Sequence, residues 1–273
     1  MAKTITHREF KLLLKPERFT TRKALLEFNK LFESIADKQG VRYEPSDSID
    51  SQLRIVQFYD TADQALRKNQ LIFRIRQVRE GGWPDESWEV TFKARHPDRV
   101  TAAAFDSNST FPKQQKQKFK EEILHGDSPG TIALIYSNNC ILESPDTLDV
   151  QLPLKKLADS FPHLKTLKLN FDETMSIVNN AKVFELQANL GNLYFGHHTT
   201  ATATLAVWAR PVPDRFEPLV AEFGWSYHPV DDEKGKKADQ NADEFFKNIQ
   251  LPLRDWIFSG TTKTAIIYGD QGN

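Results

Sequence analysis

Cysteine is nearly absent from this 273-residue chain. Cys140 alone rules out an internal disulfide and a cysteine-built zinc site, and it reads as a small buried residue without chemistry. Long apolar runs are also missing. None approaches the ~18–20 residues that span a bilayer, and the opening MAKTITHREFKLLLK is too charged for a signal peptide. A soluble, cytoplasmic chain with no membrane partner is the expectation. The third absence is charge of one sign. Lys+Arg 36 against Asp+Glu 37 leaves a net charge of −1, without the basic excess of a duplex-binding protein. DNA is therefore not an expected partner, although totals do not see a local basic site. Fixed-period repeats and low-complexity tracts do not occur either.

What is present suffices for a core. Nineteen Phe lift the aromatic share to 11%, which excludes global disorder. At this length folding buries about three quarters of the unfolded surface, so no covalent staple is needed. The most polar stretches, Thr110–Lys120 and Asp231–Asn241, read as solvated loops that need no domain boundary. A single domain over 1–273 is expected.

Helical period marks Pro16–Gln39, opened by Pro16 and followed by Gly40. Thr61–Lys68 has room for one or two turns, and Asp146–Phe161 and Ala238–Ile257 are weaker candidates. Elsewhere the period is two. Phe10, Leu12 and Leu14 oppose His7, Glu9 and Lys11. Leu71, Phe73 and Ile75 oppose Arg74 and Arg76. Trp88, Val90, Phe92 and Ala94 oppose Glu89, Thr91, Lys93 and Arg95. Phe119 and Ile123 oppose Lys118, Lys120 and Glu122. The same alternation sets Phe184, Leu186, Ala188 and Leu190 against Glu185, Gln187 and Asn189. It recurs in Ala221, Phe223, Trp225 and Tyr227 against Glu222, Gly224 and Ser226. These are half-buried antiparallel strands.

The plain reading of each polar face is that it meets water. As a set they invite another. Like charges stand two apart on one face at Arg74/Arg76 and Lys93/Arg95, and they repel unless water or an anion lies between them. A sheet closed on itself, charged inside and covered by helices outside, satisfies both faces and makes a polyanion site. The expected class is α+β, an antiparallel closed β-barrel, or tunnel, with helices packed outside.

The order of the pieces resembles the CYTH superfamily, the triphosphate tunnel metalloenzymes, which include inorganic and thiamine triphosphatases and class IV adenylyl cyclases. The family's opening Glu-x-Glu-x-Lys is matched by His7-Arg8-Glu9-Phe10-Lys11. Its "YFDT…L…LRxR" stretch is matched by Phe58-Tyr59-Asp60-Thr61, Leu66 and Phe73-Arg74-Ile75-Arg76. Its "LTLK" strand is similar to Val90-Thr91-Phe92-Lys93, and its basic-x-Glu strand to Lys120-Glu121-Glu122. Phe184–Leu193 resembles its "v-E-v-a-L-D-x-G-x-i" strand, Glu222-Phe223-Gly224 its late Glu-x-Glu, and Lys263-Thr264 with Tyr268 its closing pair. The likeness spans nearly the whole chain, leaving 95–117 and 126–165 as peripheral insertions that could form a lid or an oligomer contact.

The resemblance implies a small triphosphate ligand held by Lys11, Arg74, Arg76, Lys93, Lys120, Lys168 and Lys263, Arg supplying bidentate forks and Lys point charges. Lys168 is expected on a strand Thr166–Asn170. It also implies Mg²⁺ or Mn²⁺ on Glu9, Glu122, Glu185 and Glu222, with Glu9, Lys11 and Glu122 in catalytic roles. Three positions depart from the pattern, each at an acid: His7, Asn189 and Gly224. His7 could ligate a softer metal, add a cation, or simply sit polar at a strand end. His197-His198 reads as a solvated turn.

Three functions follow from the resemblance. A metal-dependent phosphohydrolase of a small triphosphate leads. A binding protein that keeps the cationic tunnel without turnover is the alternative that the lost acids favour. Adenylyl cyclisation is the third, without a base-recognition signal.

Overall fold

A computed structural model describes residues 3–111, 115–144, 151–196 and 198–269. Nine strands close a ring. In ring order they are β11 (Val183–Tyr194), β12 (Thr200–Val212), β13 (Arg215–Tyr227), β1 (His7–Leu14), β7 (Gln115–His125), β8 (Ile132–Ser144), β6 (Trp88–His96), β4 (Leu71–Glu80) and β3 (Ser51–Asp60), which pairs back to β11. Eight junctions are antiparallel. The ninth, β1 to β7, is parallel; the chain passes through β3, β4 and β6 between them rather than turning back in a hairpin. Four short strands flank the ring: β2 (Arg42–Pro45) on β11, β5 (Trp83–Pro84) on β4, β10 (Thr174–Ile177) on β3 and β9 (Gln151–Pro153) on β10.

Six helices are present among the described residues: α1 (Arg22–Lys38), α2 (Ala65–Lys68), α3 (Arg99–Ala104), α4 (Leu154–Ser160), α5 (Glu233–Gln250) and α6 (Lys263–Tyr268). None is long and apolar enough to cross a membrane. The expected helix Pro16–Gln39 begins later. Thr21 Oγ1 accepts from the Ala24 amide and starts α1 at Arg22, while Pro16–Arg18 makes a separate 3₁₀ turn. Gly40, at φ +68°, ends the helix as a left-handed residue should.

The alternation read from the strands divides outside from inside. Phe10, Leu12 and Leu14 of β1 are wholly buried and pack outward with Phe223 and Trp225 of β13 beneath α1 and α5. Phe223 lies edge-on to Phe28 and Phe32 of α1, with ring centroids 5.2 and 4.5 Å away. Leu154, Leu157 and Phe161 cover Phe73 and Phe92 on the far side. A third cluster lies within one end of the ring. Val56, Phe58, Trp208 and Val220, on inward faces, pack against Ile267 and Tyr268 of α6. That end is closed by an apolar plug, so the ring is a cup.

The motif Phe58–Thr61 belongs to this closure. Asp60, 2% exposed, accepts from the amides of Thr61, Leu66 and Arg67 and from the Tyr268 hydroxyl. It thereby ties the turn into α2 to the plug.

Several expectations need correction. Asp231–Asn241 is not a loop: Asp232 accepts from the Gly235 amide and caps α5, and the polar residues are its solvent face, opposite Ala238, Ala242 and Phe246. Thr110–Lys120 is half strand, since β7 starts at Gln115. The supposed insertion 126–165 holds β8, a full ring member paired to β6 and β7. Its pattern hid because Asn138 and Asn139 are buried beside Cys140, satisfied by Ser107, Phe105 O and Lys118 O. Of Asp146–Phe161, residues 146–150 lie outside the described residues and the rest divides into β9 and α4. Ala238–Ile257 ends as helix at Gln250. Thr166–Asn170 forms no strand. His197 lies outside the described residues, and His198 is exposed in a turn.

Because Phe223 joins α1 to the ring, Phe223→Ala should cost about 3–5 kcal/mol of unfolding free energy. Urea titration should show a lower midpoint at unchanged slope; a midpoint equal to wild type would contradict this packing.

Candidate functional site

The open end of the cup is a cavity of about 730 Å³, within the size of small-ligand sites. Eight cations and five carboxylates line it, an excess of three positive charges in a chain whose net charge is −1. All but Asp127, which lies in the loop between β7 and β8, come from the inward face of a ring strand or from the segment that enters α6. β1 supplies Glu9 and Lys11, β4 Arg74 and Arg76, and β6 Glu89, Lys93 and Arg95. β7 supplies Lys118, Lys120 and Glu122, and β13 supplies Glu222. Lys263 enters from α6.

Glu122, 0% exposed, is the hub. Lys93 Nζ donates to its Oε1 at 2.6 Å, and Lys11 Nζ and Arg95 Nη2 donate to its Oε2 at 3.0 and 2.8 Å. Burial opposes its charge, but Arg95, Lys11 and Lys93 outweigh burial and hold the carboxyl well below the usual range. Glu9 Oε2 bridges Lys11 and Lys120, both at 3.0 Å. A second cluster forms around Glu89 and Glu185. Arg76 reaches both Glu89 and Glu185, at 3.4 Å each, and Arg74 reaches Glu89 at 3.5 Å and donates to Thr91 Oγ1 at 3.1 Å. Lys263 pairs with Glu222 at 2.6 Å and lies 4.7 Å over the Trp208 ring.

These cations are crowded. Burial, followed by the nearby Arg95, Lys11 and Lys120, pulls Lys93 down to about 7 despite Glu122. Burial and then Arg76 lower Arg74 to about 10. The Nε–H groups of Arg74, Arg76 and Arg95 are buried and donate to no acceptor among the described residues. Lys118 makes no ion pair among the described residues. Buried N–H groups are seldom left so, and here three of them accompany an excess of positive charge.

Of the residues the sequence singled out, Glu9, Lys11, Arg74, Arg76, Lys93, Lys120, Glu122, Glu222 and Lys263 line this one cavity. Lys168 does not. It is exposed in an irregular stretch after the 3₁₀ turn Pro162–Thr166, because the strand expected to carry it does not form. Glu185 points inward but does not reach the cavity surface. Arg54 takes its Oε1, and Arg76 and the Trp208 indole take its Oε2. Burial opposes its ionisation, and Arg76, Lys263 and Arg54 prevail, holding it at about 2. Five charged lining or supporting groups were not chosen from sequence: Arg95, Lys118, Glu89, Arg54 and the loop residue Asp127. Arg95 and Lys118 share a face with a chosen residue two positions away, and Glu89 shares one with Lys93 four positions away, so the alternation already carried the signal.

The three departures have structural readings. His7 bonds Thr6 Oγ1 through Nδ1 and lies 4.2 Å from the His228 ring. Burial, then Lys118 and His228, lower it to about 4, so it is neutral near pH 7 and adds no cation. Asn189 is exposed and accepts from the Gly191 amide. Gly224 stands opposite Lys11, where a Cβ would lie 2.2 Å from the Phe10 carbonyl oxygen. Any side chain there requires β1 and β13 to separate.

A divalent ion needs several oxygens converging on one point. Among the described residues no group of three or more His, Cys, Asp or Glu is so placed. Both Glu122 oxygens and both Glu185 oxygens are taken by cationic or indole donors. Glu9 and Glu222 each keep one oxygen, but Glu222 lies opposite Leu13, four residues along β1 from Glu9. The donor set does not fit the ion that the resemblance implies.

No protein-family model matches the sequence, and no curated protein matches it. Structural likeness extends to a candidate adenylyl cyclase from Hippeastrum described as having a dominant triphosphatase activity: 11% identity over 97% of this chain and 96% of that one, TM-score 0.43. A candidate adenylate cyclase from Bacillus halodurans shares 13% identity over 96% and 97%, TM-score 0.38. A protein from Pyrococcus horikoshii OT3 shares 13% over 96% and 99%, TM-score 0.36. None is near enough in sequence or shape to transfer the role of a residue.

Lys93 gives a pH test. A cation held at about 7 is charged below that value and neutral above it, and an anion beside it draws the proton back. Sulfate, whose own charge is constant over the range, should bind on the order of tenfold tighter at pH 6.5 than at pH 8. At pH 8 it should take up protons, seen as buffer-dependent heats in calorimetry. Equal affinity at both values, with no proton uptake, would contradict the assignment.

Proposed function

We propose that the chain is a member of the CYTH superfamily of triphosphate tunnel proteins and that the cup binds a small triphosphate. Inorganic tripolyphosphate and nucleoside triphosphates are the ligand classes that fit this reading. The observation that carries this reading is the surplus of three cations in a walled cavity, with three guanidinium Nε–H groups lacking an acceptor among the described residues. A polyphosphate supplies what they lack: charge to offset the surplus and tetrahedral oxygens for Arg forks and Lys point charges. Lys11, Arg74, Arg76, Lys93, Lys120 and Lys263 are its proposed ligands, joined by Arg95 and Lys118. Lys168 and Glu185 have no part.

A second reading, hydrolysis of the bound triphosphate, is favoured by one feature. Glu9 Oε1 and Glu222 Oε2 accept no hydrogen bond among the described residues, and a carboxylate with a free oxygen beside the ligand can order an attacking water. Phosphate release from tripolyphosphate, ATP or thiamine triphosphate, with Mg²⁺, Mn²⁺ or EDTA, separates hydrolysis from binding alone.

Arg76→Ala should weaken tripolyphosphate binding by about tenfold or more, and added salt should weaken wild-type binding steeply. Arg210→Ala, at an exposed surface pair with Glu217, should leave affinity unchanged. Titration calorimetry on both variants decides. Equal losses in the two, or no saturable binding by the wild type, would remove the cup as the site.

A further inference from the structure

We infer that anion binding in this cup requires no divalent metal, because its own cations hold Glu122 and Glu185 and the oxygens left free on Glu9 and Glu222 do not converge on one point. The inference rests on the polyphosphate reading of the same cavity. Glu122 is completely buried and spends both oxygens on Lys93, Lys11 and Arg95. A metal entering there must displace three cations from Glu122. The neighbouring position on β13 is closed to a further acid, since a Cβ at Gly224 would meet the Phe10 carbonyl at 2.2 Å. Glu222 is tied to Lys263 at 2.6 Å. Glu122 therefore acts as the internal counter-ion that lets like charges stand together, a task that water or metal would otherwise perform.

The consequence for Glu222 is a change of sign. A metal ligand strengthens binding of a metal–polyphosphate complex, so its removal weakens binding. A plain carboxylate in an anion site opposes the ligand and occupies Lys263, so its removal strengthens binding. The test is calorimetric titration of the full chain with sodium tripolyphosphate, in EDTA and in excess Mg²⁺, for wild type and Glu222→Gln. Mn²⁺ binding is followed in parallel by electron paramagnetic resonance.

The expected result is saturable binding in EDTA. Excess Mg²⁺ should weaken it, by complexing the free anion, and no stoichiometric Mn²⁺ should bind. Glu222→Gln should tighten binding by about three- to tenfold in EDTA. Binding that appears only with Mg²⁺, or one bound Mn²⁺ lost in Glu222→Gln, would overturn the inference and leave the polyphosphate reading standing. Absence of binding in both conditions would overturn the two together. A lower affinity of Glu222→Gln in EDTA, with an unchanged thermal midpoint, would overturn the counter-ion account.

Discussion

The structure depends on burying one carboxylate, Glu122, among three cations. An isolated carboxylate removed from water is costly, and so is a cluster of ammonium and guanidinium groups. Together, Lys11, Lys93, Arg95 and Glu122 become tolerable, with Glu9 and Lys120 extending the network on the same wall. The compensation is incomplete. Positive charge remains in excess, Lys93 is pulled down toward neutrality, and three guanidinium donors stay unmatched among the described residues. A cavity left in that state favours a polyanion, which is the ground on which a small triphosphate is proposed for it.

The apolar architecture follows from keeping those groups inside. Every strand that sends a charge inward sends Phe, Leu or Trp outward, and that outer surface must be covered. α1 and α5 cover one side around Phe223 and Trp225, and the α4 region covers the other around Phe73 and Phe92. At one end the inward residues turn apolar, and α6 closes the ring through Ile267 and Tyr268. Lys263, at the start of that helix, reaches back into the charged part, so the closing element also contributes to the site.

Much of this was legible in the sequence. Alternation in His7–Leu14, Leu71–Gln77, Trp88–Arg95 and Lys118–Leu124 placed seven of the eleven chosen site residues in the cavity, Val220–Tyr227 added Glu222, and Lys263 came from the resemblance. Closure of the sheet followed from like charges sharing a face. What escaped was structure without contrast. β8 buries polar Asn138 and Asn139, and β12 alternates Thr with Ala, so neither shows the apolar–polar difference that marks a strand. The start of α5 is polar because only one side of it is buried. Lys168 was misplaced because resemblance supplied a strand that local sequence does not make. Glu185 was placed on the correct face, but its partners Arg54 and Trp208 come from distant strands, and no spacing in the chain reveals them. The saturation of Glu122 is likewise a property of three strands meeting.

The most direct measurement is a diffraction structure of the chain with tripolyphosphate bound. The account predicts the anion inside the cup, its oxygens within hydrogen-bond distance of Arg74, Arg76, Lys93 and Lys120, with no metal between it and Glu122. An anion found only on the outer surface, or one bridged by a metal to Glu122, would contradict it.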